Sequence, residues 1–503
     1  MNLRKNISWS ILDFLVLPIG MILTVPIFLI GLGQELYGLY IFIASIIGVN
    51  ALFNIGFGDT TVKYISHYIE VKNINLALQI HKTIMFCSLV AGFIAFILIF
   101  LNIENIKFAF QIDEITNVNK ILLISSFILP LKLIESVYIA TIRATGNYEL
   151  AGKVTITSKI LNLILMVFSV NIGLGLTGMM YSSLITCMCT ILILYFFTYK
   201  FFNKNIFPAF NFKAFKNIYN FSGWSWVQGI SGIFYANVDK FLISYIYDMK
   251  LLAFYGICLQ VAQNLHSIYS AASHTIFPLV SRAYAKHGIS KETKEIFRFA
   301  DGAITLIACI PSVFLFFYAF EILNLWVGDQ IADQSYKAFG ILILVYCVFS
   351  ANSISTFYIF NGIGRVKLQT SISLFSCIIM IISSLILIPI FGMIGAAFSR
   401  LPDTIVRVFF KTIAAKKILK IHDSRYAFDF LVLILINFII IYFIDKFLLI
   451  IGITNILSSI AIIFITLILY AICSLYFGYL YHRLFSNWKS LKELIKASDY
   501  NFL

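Results

Sequence analysis

Residues 391–411 read FGMIGAAFSRLPDTIVRVFFK, a run long and apolar enough to cross a bilayer as a helix. It carries Arg400, Asp403 and Arg407, whose spacing of three and four residues puts them on one helical face. A charge at bilayer depth costs about 2.5–3.5 kcal/mol on insertion scales, so it normally faces protein or water. The pattern predicts a membrane helix whose charged face looks into a cavity between two halves of the protein.

Two interpretations of this charged face remain open. Asp403 and Arg407, at i and i+4, can pair simply to neutralise each other, but Arg400 then still needs a partner. Otherwise Arg400 and Arg407 bind an anionic substrate, and Asp403 serves coupling or gating.

The composition is that of a membrane protein. Of the 503 residues, 60% are hydrophobic and only 12% are charged, whereas soluble domains carry about 25% charged residues. Lipid must therefore solvate most of the chain, and no polar stretch is long enough for a soluble domain. The first apolar run, 7–32, is too long for the core of a signal peptide, so we expect it to be retained as the first span.

About fourteen apolar segments are each long enough to cross a ~30 Å hydrocarbon layer as a helix. They are 7–32, 36–58, 83–101, 120–142, 154–172, 175–198, 219–247, 251–279, 300–324, 336–361, 368–390, 392–414, 427–450 and 455–481. The sequence thus predicts an all-α polytopic integral membrane protein, with a very tight turn at 390–392.

The positive charges follow membrane topology. With the N-terminus in the cytoplasm, 28 of the 37 Lys and Arg residues fall in inner segments, 5 in outer segments and 4 within spans. The positive-inside rule explains this asymmetry and the net charge of +14, and it predicts both termini in the cytoplasm. No nucleic-acid partner is expected.

The chain repeats itself at a nearly constant offset. Matches at 215 or 217 residues occur in the same order along both halves, and the offset covers six spans, so the halves share one orientation in the membrane. The matching residues include Trp9 with Trp224, Tyr40 with Tyr255, Gly175 with Gly392, Gly178 with Gly395, and Ser182 with Ser399. This predicts two parallel six-helix lobes, 1–203 and 204–420, followed by two further helices and a cytoplasmic tail in 421–503.

Other charges lie inside predicted spans. Lys132 and Glu135, at i and i+3, can form a private ion pair, whereas Asp239 and Lys240 are adjacent and should reach separate partners. Asp13 lies near the inner end of a span with two prolines, whose kinks suit a gate. We assign Lys132, Lys240 and the cytoplasmic-mouth residue Arg143 to substrate binding. Asp13, Asp239 and Glu135 are assigned to coupling or gating.

Catalytic and metal motifs are missing. Residues 146–154 (GNYELAGKV) resemble a phosphate loop, but five residues separate the glycines and Val154 replaces the required Ser or Thr. The eight cysteines lie in apolar segments as small buried side chains. His266 and His274 fit a proton relay or, more commonly, core histidines. The sequence predicts neither an enzyme nor a cofactor or metal site.

Several segments resemble one family. GLGQELYGLYIF (31–42) and LFNIGFGDTTVKYIS (52–66) are similar to the amino-terminal pattern of bacterial polysaccharide flippases, which belong to the multidrug/oligosaccharidyl-lipid/polysaccharide (MOP) superfamily. The turns at 146–148 and 362–365 resemble its cytoplasmic turns, and the resemblance covers roughly 1–420. It implies alternating access that moves an undecaprenyl-diphosphate-linked oligosaccharide, an O-antigen or capsular repeat unit, across the bacterial inner membrane.

The resemblance also implies membrane lipids, a glycan polymerase and glycosyltransferases as partners, with H⁺ or Na⁺ as coupling ion. Four alternatives stay open. They are a multidrug cation exporter of the same fold, a lipid II flippase with fourteen spans, a major-facilitator transporter, and a scaffold of the glycan assembly machinery. A cation exporter would favour an acidic, aromatic cavity, and a scaffold has no need of buried charge.

Overall fold

A computed structural model describes residues 3–49, 52, 57–273, 280, 283–284, 288–349, 353–420 and 429–450. Within these ranges the regular structure is helical and contains no strand, as predicted. In a bilayer, helices satisfy every backbone polar group within their own segment, which is why long apolar runs fold this way.

The first eight helices correspond to the first seven predicted spans and their connections. They are α1 (Leu3–Gly48), α2 (Phe57–Glu70), α3 (Ile74–Leu101), α4 (Ile103–Ala109), α5 (Val118–Ala144), α6 (Tyr148–Asn171), α7 (Gly175–Phe202) and α8 (Phe212–Ile246).

The remaining elements include one π-helix. They are α9 (Met249–Ser273), α10 (Lys291–Phe317), α11 (Ala319–Val327), α12 (Asp329–Leu342), the π-helix Ile343–Phe349, α13 (Ile354–Gly362), α14 (Val366–Phe398), α15 (Arg400–Lys417) and α16 (Asp429–Ile450). The predicted span 455–481 lies outside the described residues.

Seven of the described helices are long and apolar enough to cross a membrane. The predicted number of about fourteen spans therefore stays a prediction.

Two span boundaries fall at glycines. Helix α1 is interrupted at Gly33, with φ of 82°, between the first two predicted spans, and α14 is interrupted at Gly392, with φ of 57°, at the predicted tight turn. A positive φ is accessible to glycine without the steric cost that other residues carry.

The chain divides into two compact units. The first, unit 1, comprises Met1–Ile257 and Ser384–Met393, and the second, unit 2, comprises Cys258–Ser383 and Ile394–Leu503. The predicted lobe boundaries at 203/204 and 420/421 stay a prediction.

In unit 1, helix α5 lies at the centre. It packs against α2, α3 and α7, and α6 packs against α1 and α7. The core between these helices is apolar and includes Ile84, Val137 and Leu194. Large apolar side chains on the outer faces, such as Phe93 and Leu192, are exposed, as expected for faces that meet lipid.

Gly38 allows a close approach of two chain segments in unit 1. A Cβ added there would lie 1.7 Å from the carbonyl oxygen of Met249, which is backbone and cannot rotate away. We expect Gly38→Ala to destabilise the protein by about 1–3 kcal/mol, as overpacking does. The measurement is the apparent melting temperature of the purified protein in detergent. Gly232→Ala, with no atom within 4 Å of the added Cβ, is the control. Equal melting temperatures for Gly38→Ala and Gly232→Ala would contradict the expectation.

In unit 2, helix α10 packs against the π-helix, α13 and α16, and α15 packs against the π-helix. A π-helix within a chain of α-helices has a distorted hydrogen-bond pattern and is frequent at functional sites. The charged face predicted from the sequence lies on α15, next to this distortion.

Candidate functional site

A cavity of about 510 Å³, lined by charged, polar and apolar side chains, lies within unit 1. Its wall comes from α1, α2, α5, α6 and α7, and its charged members are Asp13, Lys132, Glu135, Arg143 and Lys159. Hydroxyl and amide groups complete the polar lining, among them Ser136, Thr155, Ser158, Asn162, Ser183 and Thr186. Four predicted site residues, Asp13, Lys132, Glu135 and Arg143, therefore come together in one place.

Asp13 is held by groups from α5 and α6. Its Oδ1 accepts hydrogen bonds from Lys159 Nζ at 2.7 Å and Thr155 Oγ1 at 2.9 Å, and its Oδ2 lies 3.7 Å from the Arg143 guanidinium. Lys159 Nζ also donates to the Asp13 carbonyl at 2.9 Å. Asp13 thus fastens α1 to the two helices that carry the cations.

The sequence prediction did not assign Lys159 to the site. It counted Lys159 with the cytoplasmic charges, although Lys159 falls near the start of the predicted span 154–172. The missed signal was helical spacing, since Thr155, Lys159 and Asn162 follow each other at four and three residues on one face of α6.

Lys132 and Glu135 form the ion pair that their spacing allowed. Lys132 Nζ donates to Glu135 Oε2 at 2.6 Å, and Cys187 Sγ of α7 lies 3.2 Å from the same oxygen. The pair is not closed off, because the Lys132 side chain is 41% exposed and both residues line the cavity. The two charges therefore neutralise each other, and both residues also form part of the cavity wall.

Helices α6 and α7 also share polar contacts that the sequence prediction did not identify. Asn162 Oδ1 accepts from Thr186 Oγ1 at 3.2 Å and from Ser183 Oγ at 3.4 Å, and Thr190 Oγ1 donates to Ser158 Oγ at 2.6 Å. The repeat offset of 217 residues could have pointed to this face. It matches Ser183, Thr186 and Thr190 with Arg400, Asp403 and Arg407, so hydroxyls stand in the first half where charges stand in the second.

Asp239 and Lys240 reach separate partners, as predicted. Asp239 is buried, and its Oδ2 accepts a hydrogen bond from the Tyr255 hydroxyl. Lys240 Nζ donates to Asn237 Oδ1 at 3.3 Å. Neither Asp239 nor Lys240 belongs to the lining of the 510 Å³ cavity. Their assigned roles in coupling and substrate binding stay predictions.

The charged face on α15 is turned inward, and the opposite face is turned outward. Arg400 and Asp403 are fully buried, whereas the apolar residues Ile405 and Phe409 are exposed. Arg407 Nε donates to Asp403 Oδ1 at 2.9 Å, so the neutralising pair is present. The Arg400 guanidinium lies 5.0 Å from the ring centroid of Tyr346 in the π-helix, a distance typical of a cation–π contact.

Unit 2 also holds a buried charge pair that the sequence analysis missed. Lys411 Nζ of α15 donates to Asp301 Oδ1 of α10, and Ser355 Oγ of α13 donates to the same oxygen at 2.6 Å. Both charged side chains are almost fully buried. The signal was again spacing, since Lys411 follows Arg407 by four residues and extends the charged face.

His266 lies 5.1 Å from the Tyr346 ring, between centroids, so it contacts the same aromatic side chain as Arg400. This contact agrees with the interpretation of His266 as a core residue of unit 2. His274 lies outside the described residues.

The family of this chain follows from comparison with known proteins. A family model described as "Polysaccharide biosynthesis protein" matches residues 32–336, which is more than half of the chain. The chain belongs to the polysaccharide biosynthesis protein family. This confirms the resemblance seen in the amino-terminal sequence.

Relatives and solved structures agree with this family. A Shigella flexneri protein named "Putative O-antigen transporter" is 21% identical over 417 residues, which cover 79% of this chain and 94% of that protein. The lipid II flippase MurJ in an inward closed conformation has a TM-score of 0.70 at 15% identity, over 95% of this chain and 99% of MurJ. An inward-facing multidrug resistance transporter of the MOP superfamily has a TM-score of 0.63 at 14% identity. The match covers 83% of this chain and 96% of that transporter.

These likenesses confirm the predicted fold class. This member of the polysaccharide biosynthesis protein family is a multi-pass membrane protein with the fold of MOP-superfamily transporters. The Shigella flexneri relative is named as an O-antigen transporter, and MurJ is a lipid II flippase.

Proposed function

We propose that this protein moves an undecaprenyl-diphosphate-linked oligosaccharide, an O-antigen or capsular repeat unit, from the cytoplasmic to the periplasmic leaflet of the bacterial inner membrane. It does so by alternating access, with both termini in the cytoplasm. Glycosyltransferases supply the lipid-linked oligosaccharide, and a glycan polymerase consumes it. The coupling ion is H⁺ or Na⁺.

The charge balance of the cavity in unit 1 supports the proposal most strongly. Lys132, Arg143 and Lys159 face Asp13 and Glu135, so the wall carries one more positive than negative charge. An anionic diphosphate is attracted to such a wall, and an arginine can offer it two parallel donors. A multidrug cation exporter would be expected to have the opposite balance.

The uncharged polar groups of the lining fit a sugar. Hydroxyl and amide groups from Thr155, Ser158, Asn162, Ser183 and Thr186 offer both donors and acceptors. The volume of about 510 Å³ falls in the range of about 300–1,000 Å³ that small-molecule sites occupy. The prenyl tail needs no polar route, because it can remain in hydrocarbon throughout, so a few charges suffice for the head group.

The experiment that tests this function is complementation. Expression of the chain in a strain lacking its O-antigen flippase should restore surface glycan, with protein level checked by blot and an empty vector as control. Expression in a strain depleted of its lipid II flippase should not restore growth. Rescue of the second strain alone would establish the lipid II alternative, and resistance to cationic drugs without surface glycan would establish the multidrug alternative.

A further inference from the structure

The connection between α7 and α8 is fastened to unit 1. It belongs to residues 203–216, here called the basic link, which also include the start of α8. Ile206 and Ala214 of the basic link are buried in the apolar core of unit 1. The backbone amide of Ala209 donates to the Lys82 carbonyl of α3 at 3.3 Å. The basic link is therefore held in place against α3.

Three lysines of the basic link have exposed side chains. They are Lys204, Lys213 and Lys216. Lys213 and Lys216 are three residues apart on α8, so they share one helical face. Lys204 Nζ donates to the side-chain oxygen of Asn75 at 2.6 Å. Because Asn75 is neutral, this hydrogen bond fixes the ammonium group without cancelling its charge.

The surroundings of these lysines are poor in acids. The sequence has no aspartate or glutamate between Glu149 and Asp239, and α3, against which the basic link packs, has none either. Over the part of the chain that the structure describes, no acid forms an ion pair with any of the three lysines. Three ammonium groups on one short segment thus present a positive surface that an anion can approach.

Exposed aromatic side chains lie between these lysines in the basic link. Phe207 is 68% exposed and Phe212 is 69% exposed. Phe210 is also exposed, and its ring centroid lies 5.8 Å from that of Phe86 in α3. Aromatic rings beside lysines are typical of a surface at the headgroup level of a bilayer, where the rings meet acyl chains and the cations meet phosphates.

We propose that the basic link is a binding site for an anionic phospholipid of the cytoplasmic leaflet. The ammonium groups of Lys204, Lys213 and Lys216 contact the headgroup phosphate, and the rings of Phe207 and Phe212 lie beside the acyl chains. The cytoplasmic side follows from the predicted topology. This site goes beyond the transport proposal and does not depend on it.

The same cations suit two other sources of phosphate, a soluble anion and the diphosphate of the carried lipid. The exposed rings favour a phospholipid over a soluble anion, because a soluble anion has no apolar part to cover them. The carried diphosphate has cations of its own in the 510 Å³ cavity, Lys132 and Arg143 among them, and the basic link contributes no residue to that lining. A phospholipid is therefore the occupant that uses both the lysines and the phenylalanines.

The test measures lipid binding to the full chain in a neutral detergent. Mass spectrometry of the intact protein resolves each bound lipid and gives its dissociation constant. The probes are dioleoylphosphatidylglycerol, which is anionic, and dioleoylphosphatidylcholine, which has the same chains and no net charge. We expect phosphatidylglycerol to bind about 100-fold more tightly, since each of three lysines near an anionic headgroup contributes about fivefold.

The lysine variants locate the site. Lys204→Gln, Lys213→Gln and Lys216→Gln combined should remove the preference for phosphatidylglycerol. Each single change should lower it about fivefold, so the single variants decide the question if the triple variant is unstable.

A second triple variant is the matched control for lost charge. It removes one exposed cation from each of α6, α10 and α15 and should keep the wild-type preference. Its changes are Lys153→Gln, Lys291→Gln and Lys416→Gln. Phe207→Ala with Phe212→Ala should weaken the binding of both lipids and leave the preference for phosphatidylglycerol intact, because the rings contact the chains that both lipids share.

Three results would overturn this site. The first is a preference for phosphatidylglycerol that survives loss of the three lysines, or that the control variant loses equally. The second is competition by glycerophosphoglycerol, the headgroup without acyl chains, at the concentration of the lipid, which would identify a site for soluble anions. The third is competition by farnesyl-diphospho-N-acetylglucosamine that requires the three lysines, which would assign the basic link to the carried lipid. None of these results contradicts the flippase proposal, which complementation tests separately.

Discussion

Lys411→Met should lower the stability of the protein by about 3–5 kcal/mol, because it leaves the Asp301 carboxylate buried without its cation. Lys411 and Asp301 are both almost fully buried and hydrogen-bonded to each other. Asp301→Asn combined with Lys411→Met should recover most of the loss, since replacing both partners of a buried pair is often nearly neutral. The measurement is the apparent melting temperature of the three variants in detergent.

Lys416→Met is the matched control for this cycle. Lys416 lies on the same helix, α15, but is exposed, so its replacement should change the free energy of unfolding by less than about 0.5 kcal/mol. The expectation is contradicted if Lys411→Met leaves the apparent melting temperature unchanged, or if the double variant melts no higher than the single variants. Either result would show that the Lys411–Asp301 pair does not stabilise unit 2.

Arg143→Gln and Lys132→Gln together should abolish transport of the lipid-linked oligosaccharide. A hydrogen bond to a charged group contributes about 1.5–3 kcal/mol, so each single change should reduce transport about 10–100-fold. Arg143→Lys should retain part of the activity, because lysine keeps the charge and loses the forked geometry. Asp13 keeps Lys159 and Thr155 in these variants, so the attachment of α1 to α6 is preserved.

Lys153→Gln is the control for the cavity variants, because Lys153 is an exposed cation of α6 that pairs with Glu149 and does not line the cavity. The readout is surface glycan in a flippase-deleted strain at matched protein level. Wild-type glycan from both single variants and from the double variant would show that these cations do not handle the substrate.

The sequence predicted well those features that depend on local pattern. Apolar run length located the helices, and glycines marked the interruptions at Gly33 and Gly392. Helical spacing gave the shared face of Arg400, Asp403 and Arg407, and the structure buries Arg400 and Asp403. Spacing alone also gave the Lys132–Glu135 pair, because both residues lie on one helix.

Features that depend on contacts between distant helices were harder to predict. Lys159 and Lys411 lie near the ends of apolar runs, so a linear count assigned them to the cytoplasm, whereas helix packing turns them toward Asp13 and Asp301. Lys240 was grouped with the other intramembrane cations, although the structure directs it toward Asn237. The rotation of each helix about its axis decides these outcomes, and charge content does not reveal it.

The central claim, that this protein moves a lipid-linked oligosaccharide between leaflets, is tested most directly in proteoliposomes. Undecaprenyl-diphosphate-linked repeat unit is introduced into one leaflet, and its arrival in the other is followed with a glycosidase that cannot cross the bilayer. The account predicts protein-dependent movement by the wild type, at a rate above that of protein-free vesicles, and none by the Lys132→Gln, Arg143→Gln double variant. Correctly inserted wild-type protein that leaves the substrate in its original leaflet would contradict the account.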